Sequence, residues 1–476
     1  MENQVPVGSS CPPCESAPQS IENMEKLTLS ASAAAPKNTP SPFLCDGIDT
    51  LFALLFFGVG YCYIAVFTHF SGSFWHGWLL FTVVFVAAAF SYGLLRGVKP
   101  SKESWFWLAA TLLLGLSCRI VTLDGSFGVL RFYALSLLAV YWVLCYFGVL
   151  LDGKTGNGIA VDCLRGLVIL PFGNFFAGLC CIVRGIFARG KKKHRWDFML
   201  GLLLALLLCT GIILPLLSGA DAHFASLLSG VQSFFSQIFW GDFLELKIRL
   251  VLALPVSAYL FGLCYGAARR RCCNAPSAAS LQKAGQKARI LPVTTLLIVM
   301  AAACALYLVF ILLQAGYLLS AFAGMRPEGF TYAEYARRGF FELCQLTCFN
   351  LVLLWCANTV GRVPRSESHL LTVGNSALSA LTLFLIATAL SKMLMYMDSY
   401  GLTPKRIFTT WFMVWLAVVF VLLLIWQHRS FPLVRITAFL FVGGFVLLCL
   451  VDLRQISNAY NAAHGFDAIV FDAFYF

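Results

Sequence analysis

Eleven long hydrophobic segments fill most of the chain, and each is about long enough to cross a lipid bilayer as a helix. The bilayer core requires about 20 apolar residues per helix. Lipid also offers no hydrogen-bond partner to the edge of an open sheet. The sequence therefore predicts an all-α, polytopic helix bundle in a membrane. The predicted spans lie at 48–69, 75–95, 104–120, 132–151, 198–217, 248–267, 290–313, 342–361, 370–394, 407–426 and 433–451.

The composition agrees with a membrane protein and leaves little room for a soluble domain. Of the 476 residues, 60% are hydrophobic and 12% are charged, whereas soluble domains carry about 25% charged residues. Residues 1–46 are rich in Ser, Pro and Ala, which predicts a disordered cytoplasmic tail. We expect one transmembrane domain over 47–453 and a short outer tail over 454–476.

The basic residues indicate the orientation of the predicted bundle. The net charge is +12, and most of the cations fall on one side if the N-terminus is inside and the C-terminus outside. This is the positive-inside pattern of membrane proteins. It predicts contact with anionic lipids at the cytoplasmic face and excludes nucleic acid as the partner. The clusters are Arg96, Lys99, Lys102, Lys191, Lys192, Lys193, Arg195, Arg269, Arg270, Arg271, Lys283, Lys287 and Arg289.

Residues 161–187 form an apolar stretch that does not fit a simple span. Asp162, Arg165, Asn174 and Arg184 interrupt it. If it crossed once, the basic cluster at 269–289 would lie outside. We therefore interpret it as part of a cytoplasmic segment, 152–197, that is either a re-entrant hairpin or a pair of interfacial helices.

A phosphate-loop pattern occurs at 148–155, with the sequence GVLLDGKT. This pattern binds phosphate only where a strand delivers a glycine-rich loop onto the start of a helix. Here it begins in the last turn of a predicted membrane helix, and Leu150 and Leu151 stand where flexible residues belong. We interpret the match as accidental.

The cysteines and histidines do not predict a metal site or a cofactor. Most of the 18 cysteines lie inside predicted spans, where cysteine acts as a small apolar residue. Cys11 and Cys14 have ligand spacing, but they supply only two of the four thiolates of a structural zinc site. A zinc ion shared between two chains stays open for this pair.

The most specific stretch is 331–343, which places three charged residues on one helix face. Glu334, Arg338 and Glu342 recur every four residues and form what we call the charge ladder. Tyr335 lies beside it. One interpretation is an outer-face binding site for a polar or anionic group, and the other is an interfacial helix with a solvated ion pair.

Polar residues inside the spans extend the list of candidates. Asn350 lies near mid-span, where it either forms hydrogen bonds between helices or belongs to a binding site. Lys392 lies in an apolar context, and a buried ionisable residue marks a functional site by default. The alternative is that its side chain snorkels to the outer surface near Asp398. Asp221, in an outer loop, completes the candidate binding set.

Three stretches together resemble a known family. They are 220–228, with the sequence ADAHFASLL, the 331–343 segment, and 400–403, with the sequence YGLT followed by Arg406. Their order and spacing are similar to an uncharacterised bacterial family of multi-pass membrane proteins, a domain of unknown function of the 4173/4153 type. The resemblance implies a bacterial plasma-membrane protein with this helix order, and it implies no activity.

Three functions stay open on the sequence. The first is transport or binding of a polar or lipid-linked solute of the cell envelope, which requires a cavity lined by Asn350, Lys392 and the charge ladder. The second is a non-catalytic membrane scaffold or regulatory partner of an envelope complex, which requires filled helix packing. An enzyme acting on a lipid-linked substrate ranks third, because it needs two acid/base groups at one site.

Overall fold

The structure is a computed structural model that describes residues 43–68, 74–121, 126–188, 242–272, 287, 289–313, 340–362 and 367–466. Every regular element in these ranges is helical, which confirms the all-α class. The helices are α1 (Gly47–Thr68), α2 (Phe74–Leu95), α3 (Lys102–Ile120), α4 (Ser126–Tyr146), α5 (Ile159–Leu164), α6 (Leu170–Gly173), α7 (Ala177–Ala188), α8 (Asp242–Ala268), α9 (Val293–Leu313), α10 (Phe340–Thr359), α11 (His369–Tyr400), α12 (Pro404–His428), α13 (Leu433–Leu450) and α14 (Leu453–Ala463).

The described part of the chain contains nine helices that are long and apolar enough to cross a membrane. This is what a multi-pass membrane protein requires. Eight of them overlap predicted spans, and the ninth, Ile159–Gly185, is the stretch that we interpret as not crossing. Helices α3 and α10 form where spans are predicted but are not among the nine, and 198–217 lies outside the described residues. The count of eleven stays a prediction.

The local sequence explains the hairpin between α11 and α12. Gly401 has φ +74°, a left-handed conformation that ends α11 without a Cβ penalty. The Thr403 hydroxyl accepts a hydrogen bond from the Arg406 amide at 3.3 Å, and Pro404 occupies the first helical position. Two long helices therefore reverse direction within three residues.

The helices pack around two hydrophobic cores. The first core combines side chains of α1 to α4, the 159–188 segment, α8 and α13. The second core combines side chains of α9 to α12. Helix α13 contacts both α3 and α12 and so joins the two cores.

Hydrogen bonds and ion pairs gather the helix ends at two opposite ends of the bundle. At one end, which we call the basic end, lie the starts of α1, α3, α9, α11 and α13 and the ends of α2, α4, α8, α10 and α12. The pairs that join them are Asp49–Arg96, Asp49–Arg269, Glu103–Arg435, Thr155–Glu103, Leu291–Arg362 and Asn375–Gln427.

At the opposite end, α3 meets α4 and α12 meets α14. The Arg131 guanidinium donates to the carbonyls of Ser117 and Val121 at 3.0 and 2.8 Å. The Asn461 side chain bonds both backbone groups of Leu402, at 2.7 Å to the amide and 3.0 Å to the carbonyl. Helix α14, in the predicted outer tail, therefore packs on the α11–α12 hairpin.

The 159–188 segment is a broken helix that stays in contact with the basic end. Helix α5 continues through a π-helical turn, Arg165–Ile169, into α6, and the chain then breaks at 174–176 before α7. The Leu151 amide donates to the carboxylate of Asp162 at 3.1 Å. Gly262 of α8 allows α6 to approach, because a Cβ there would lie 2.8 Å from the Pro171 carbonyl oxygen.

Candidate functional site

The predicted site residues fall into two groups. Asp221, Glu334, Tyr335 and Arg338 lie outside the described residues. The described members are Glu342 at the start of α10, Asn350 in the middle of α10, and Lys392 and Asp398 in the last three turns of α11.

Lys392 is buried within α11, with only 1% of the residue exposed. Helices α10 and α11 bring Glu342 near enough to Lys392 for the carboxylate charge to act on the ammonium group. Glu342 and Asp398 are both exposed. The lysine side chain thus packs among the helices and does not extend to the surface beside Asp398.

Asn350 belongs to a chain of hydrogen bonds across three helices. The Tyr307 hydroxyl of α9 donates to Asn350 Oδ1 at 2.7 Å, and Asn350 Nδ2 donates to Thr382 Oγ1 of α11 at 2.9 Å. All three residues are buried. The bonds join α9, α10 and α11 within the second core, which is the structural use of polar groups in membrane helices.

A second polar cluster lies closer to the basic end of the same helices. Asn375 Nδ2 of α11 donates to Asn358 Oδ1 of α10 and to Gln427 Oε1 of α12, both at 3.2 Å. This cluster joins three helices, as the Asn350 chain does. The second core is therefore held by amide and hydroxyl groups at two depths.

The strongest concentration of charge in the described residues lies at the start of α1. Asp49 is fully buried. Its carboxylate accepts hydrogen bonds from the Tyr92 hydroxyl and from Arg269 Nη2, each at 2.7 Å, and from Arg96. A buried carboxylate requires this kind of matched partner set. We call Asp46, Asp49, Tyr92, Arg96 and Arg269 the acid–arginine centre.

Asp46 is the exposed member of the acid–arginine centre. Its carboxylate pairs with Arg96 Nη1 at 3.0 Å and with Arg269. Hydrogen bonds from Arg96 and then Arg269 lower the pKa of Asp46, and they outweigh the opposite effect of burial. Burial lowers the pKa of Arg269, but the bonds to Asp49 and Asp46 outweigh it and raise the pKa. Both guanidiniums are held charged beside the two carboxylates.

Residues 43–46 lead into α1 and are held by several elements, so we call them the N-terminal anchor. The Phe43 carbonyl accepts a hydrogen bond from Arg184 of α7, and the Arg271 guanidinium lies 3.8 Å from the centre of the Phe43 ring. The Tyr265 hydroxyl donates to the Leu44 carbonyl at 2.7 Å. The last residues of the predicted tail are therefore fixed against α7 and α8.

Sequence reasoning did not find the acid–arginine centre as a site. Arg96 and Arg269 were used only as orientation signals, and Asp49 is one acid at the start of a span. A usable signal was present, because the predicted topology puts the start of span one and the ends of spans two and six on the same side. An acid and two arginines at those ends are then candidates for one cluster.

The phosphate-loop match lies in a turn that follows α4 and is not preceded by a strand. The Leu151 amide is bound to the Asp162 carboxylate and the Thr155 amide to Glu103 Oε1, at 3.1 and 2.9 Å. Two of the backbone amides that would bind a phosphate thus already donate hydrogen bonds to carboxylates. Among the described residues, no group of three or more His, Cys, Asp or Glu side chains is arranged to hold a metal ion.

Comparison with protein families gives one result for the whole membrane region. The family model described as a domain of unknown function, DUF4153, matches residues 50–476. The chain belongs to the DUF4153 family. The resemblance predicted from the three sequence stretches is therefore confirmed, and the family carries no assigned function. No curated protein and no solved structure matches the chain significantly.

Proposed function

We propose that this DUF4153 protein binds a polar or lipid-linked solute of the cell envelope at the outer end of its second core. The observation that carries the proposal is that Lys392, a residue of α11, is buried in the protein. Removing an ammonium group from water is costly, and membrane helices retain such residues mostly at sites for ions, substrates or ligands. An anionic group of the solute is the partner that this cation would favour.

The depth of Lys392 suits a solute that arrives from the outer surface. It lies eight residues before the end of α11 at Tyr400, which is about 12 Å along a helix. Helix α11 has 32 residues and is about 48 Å long, so it is longer than the hydrocarbon core of about 30 Å. Lys392 therefore falls close to the outer boundary of the hydrocarbon, where the headgroup of a lipid-linked solute resides.

The charge ladder supports the same location. Glu342 is its last member, and its charge acts on Lys392. If the helical spacing of 331–343 continues α10 toward the surface, Arg338 follows one turn further out. The site would then present Lys392 at its base and Arg338 and Glu334 at its mouth, with Asp221 on a neighbouring outer loop.

The orientation assumed here rests on the distribution of charge between the two ends of the bundle. Among the described residues the basic end carries more cations, and because of the positive-inside pattern we propose that it faces the cytoplasm of a bacterial plasma membrane. Its described cations include Arg96, Lys99, Lys102, Arg269, Arg270, Arg271, Arg289, Arg362, Arg429 and Arg435, against Arg119, Arg131, Lys247, Arg249, Lys405, Arg406 and Arg454 at or near the opposite end.

The 159–188 segment supports the re-entrant or interfacial interpretation. It begins beside Leu151 and ends where Arg184 bonds the carbonyl of Phe43, and both contacts are at the basic end. Helix α4 ends at the basic end, whereas α8 starts at the other end. The chain between them must cross an odd number of times, and the predicted span at 198–217 supplies one crossing.

A second candidate function is a non-catalytic scaffold or regulatory partner in the membrane. The hydrogen bonds of Asn350 favour it, because they fill a position that a solute cavity was predicted to use. The N-terminal anchor favours it too, because Leu44 is bound to Tyr265 of α8 and fixes the chain next to the predicted tail. A scaffold function does not require the positive charge of Lys392.

The two candidates differ in what Lys392→Met should do. We would purify the wild-type protein and the variant in mild detergent and quantify bound anionic lipids and lipid-linked sugars by mass spectrometry of extracts. A charged hydrogen bond is worth about 1.5–3 kcal/mol. The Lys392→Met variant should therefore retain at least about tenfold less bound lipid or lipid-linked sugar than the wild type. Lys405→Met is the matched control, since Lys405 is an exposed outer cation of α12.

The proposal fails if extracts of the wild type and of Lys392→Met contain the same amounts of anionic lipid and lipid-linked sugar. It also fails if Lys405→Met loses as much material, because the loss would then reflect surface charge. Lys392→Arg keeps the cation and should retain part of the bound material. Equal extracts from all four proteins would favour the scaffold.

A further inference from the structure

Two cysteine thiols meet at the basic end of the bundle. Cys45 belongs to the N-terminal anchor, and Cys181 lies in α7, 136 residues later. Their sulfur atoms are 2.8 Å apart, and both thiols are free of disulfide bonds. The Thr50 hydroxyl donates to the Cys181 carbonyl at 3.0 Å and holds α7 against α1 at this point.

The contact is suited to covalent bonding. The sulfur atoms of a disulfide are about 2.0 Å apart, so a relative movement of about 1 Å brings this pair to bonding distance. We propose that Cys45 and Cys181 form a reversible disulfide, which locks α7 and the N-terminal anchor together when an oxidant such as hydrogen peroxide is present. Neither residue is a member of the proposed solute site.

The difference in exposure between the two thiols sets the order of the reaction. Cys45 is partly exposed and Cys181 is buried, so Cys45 meets the oxidant first. Its thiolate attacks one peroxide oxygen, the O–O bond breaks, and the released hydroxide takes up a proton to become water. Cys45 is now a sulfenic acid.

Cys181 completes the reaction as the resolving thiol. Its sulfur attacks the sulfenic sulfur, the S–S bond forms, and the hydroxyl leaves as water with the proton of Cys181. The two thiols lose two electrons in total, and one peroxide is reduced to two waters. A dithiol reductant reverses the change by thiol–disulfide exchange.

The position of the pair gives the bond a defined effect. Cys45 immediately precedes Asp46 of the acid–arginine centre, so the bond would tie that centre to the 159–188 segment. With the basic end in the cytoplasm, as the proposed orientation has it, the pair stays reduced until oxidant rises, since disulfides there are transient. Formation of the disulfide depends only on the contact between the two thiols and not on this orientation.

The test uses the full chain in membrane vesicles. Vesicles are treated with hydrogen peroxide, remaining thiols are blocked with N-ethylmaleimide, and the peptide that joins Cys45 to Cys181 is sought by mass spectrometry of the non-reduced digest. We expect the joined peptide in the wild type and its loss in Cys45→Ser and Cys181→Ser. Cys180→Ser is the matched control, because Cys180 is the adjacent thiol of α7.

Several outcomes would overturn the proposal. They are no joined peptide after oxidation, a peptide that joins Cys45 to Cys180, and a bond already present before oxidant is added. The wild type gives a second readout that does not depend on variants folding. When maleimide is added after denaturation, oxidation should have protected Cys45 and Cys181 together, whereas Cys62 of α1 should react as before.

Discussion

The carboxylate of Asp49 and the guanidinium of Arg269 lie 2.7 Å apart, although 220 residues separate them in the chain. This pair joins the start of α1 to the residue that follows α8. Arg96, after α2, shares the same carboxylate. Three helix ends are thus fixed at one side of the first core, and the relative direction of α1, α2 and α8 follows from it.

Asp49→Asn should destabilise the protein strongly. The change leaves Arg96 and Arg269 close together without their shared buried anion, and removal of one partner of a buried ion pair costs about 3–5 kcal/mol. The check is the thermal unfolding midpoint of the purified protein in detergent. Asp46→Asn is the control, since Asp46 is 55% exposed and surface pairs are worth about 0–1 kcal/mol. Equal shifts for both variants would contradict the assigned role of Asp49.

The stability should also fall in acid, with a contribution from Asp46. Arg96 and Arg269 lower the pKa of Asp46 below its value of 3.8 in an unfolded chain. The stabilisation is therefore fully present above pH 4 and is lost as pH falls through the lower folded pKa. Unfolding midpoints measured from pH 6 to pH 2.5 should converge for the wild type and Asp46→Asn at the acid end. A constant difference across this range would exclude the effect.

Lys154→Ala should change neither nucleotide binding nor stability appreciably. Lys154 lies in the turn after α4, and the neighbouring amides of Leu151 and Thr155 already bind carboxylates. Fluorescent ATP analogues titrated against both proteins in detergent provide the measurement. Measurable ATP affinity in the wild type that is lost in the variant would mean that the loop binds phosphate after all.

Cysteine labelling should report opposite sides for positions 193 and 458. Position 193 belongs to the predicted cytoplasmic segment, and 458 lies in α14 beside the α11–α12 hairpin. Single-cysteine variants in a cysteine-free background are treated with an impermeant maleimide from outside intact cells. Position 458 should react and 193 should not. Labelling at 193, or protection at 458, would refute the proposed orientation.

Arg338→Ala should leave the protein folded while it removes bound solute. An ion pair on an exposed helix face, as predicted for the charge ladder, contributes only about 0.2–1 kcal/mol to stability, so the variant should accumulate normally in the membrane. Extracts of the purified variant should lack the material carried by the wild type. Arg337→Ala is the neighbouring control, because the predicted helix would point that side chain about 100° away from the ladder. Failure of Arg338→Ala to accumulate would identify the ladder as structural.

The sequence by itself determined the helices and their local ends. Eight predicted spans coincide with long apolar helices, and the turn at 400–404 forms as its glycine, threonine and proline predict. These features are local, because span length depends on apolar residues in a row and a helix end depends on two or three neighbouring residues. Asn350 and Lys392 were also recognisable, since polar residues stand out inside apolar segments.

The partners of these residues were decided only by the tertiary structure. Asn350 bonds Tyr307 and Thr382 on α9 and α11, and the sequence does not specify which side chains of these helices it meets. Asp49 meets Arg269, and Cys45 meets Cys181, across long stretches of chain. Apolar helices in lipid have no strong hydrophobic preference for one neighbour over another, so close packing and matched polar groups select the partners. Those matches depend on which helix faces meet and at which depth along the bundle. No single segment of the sequence contains that information.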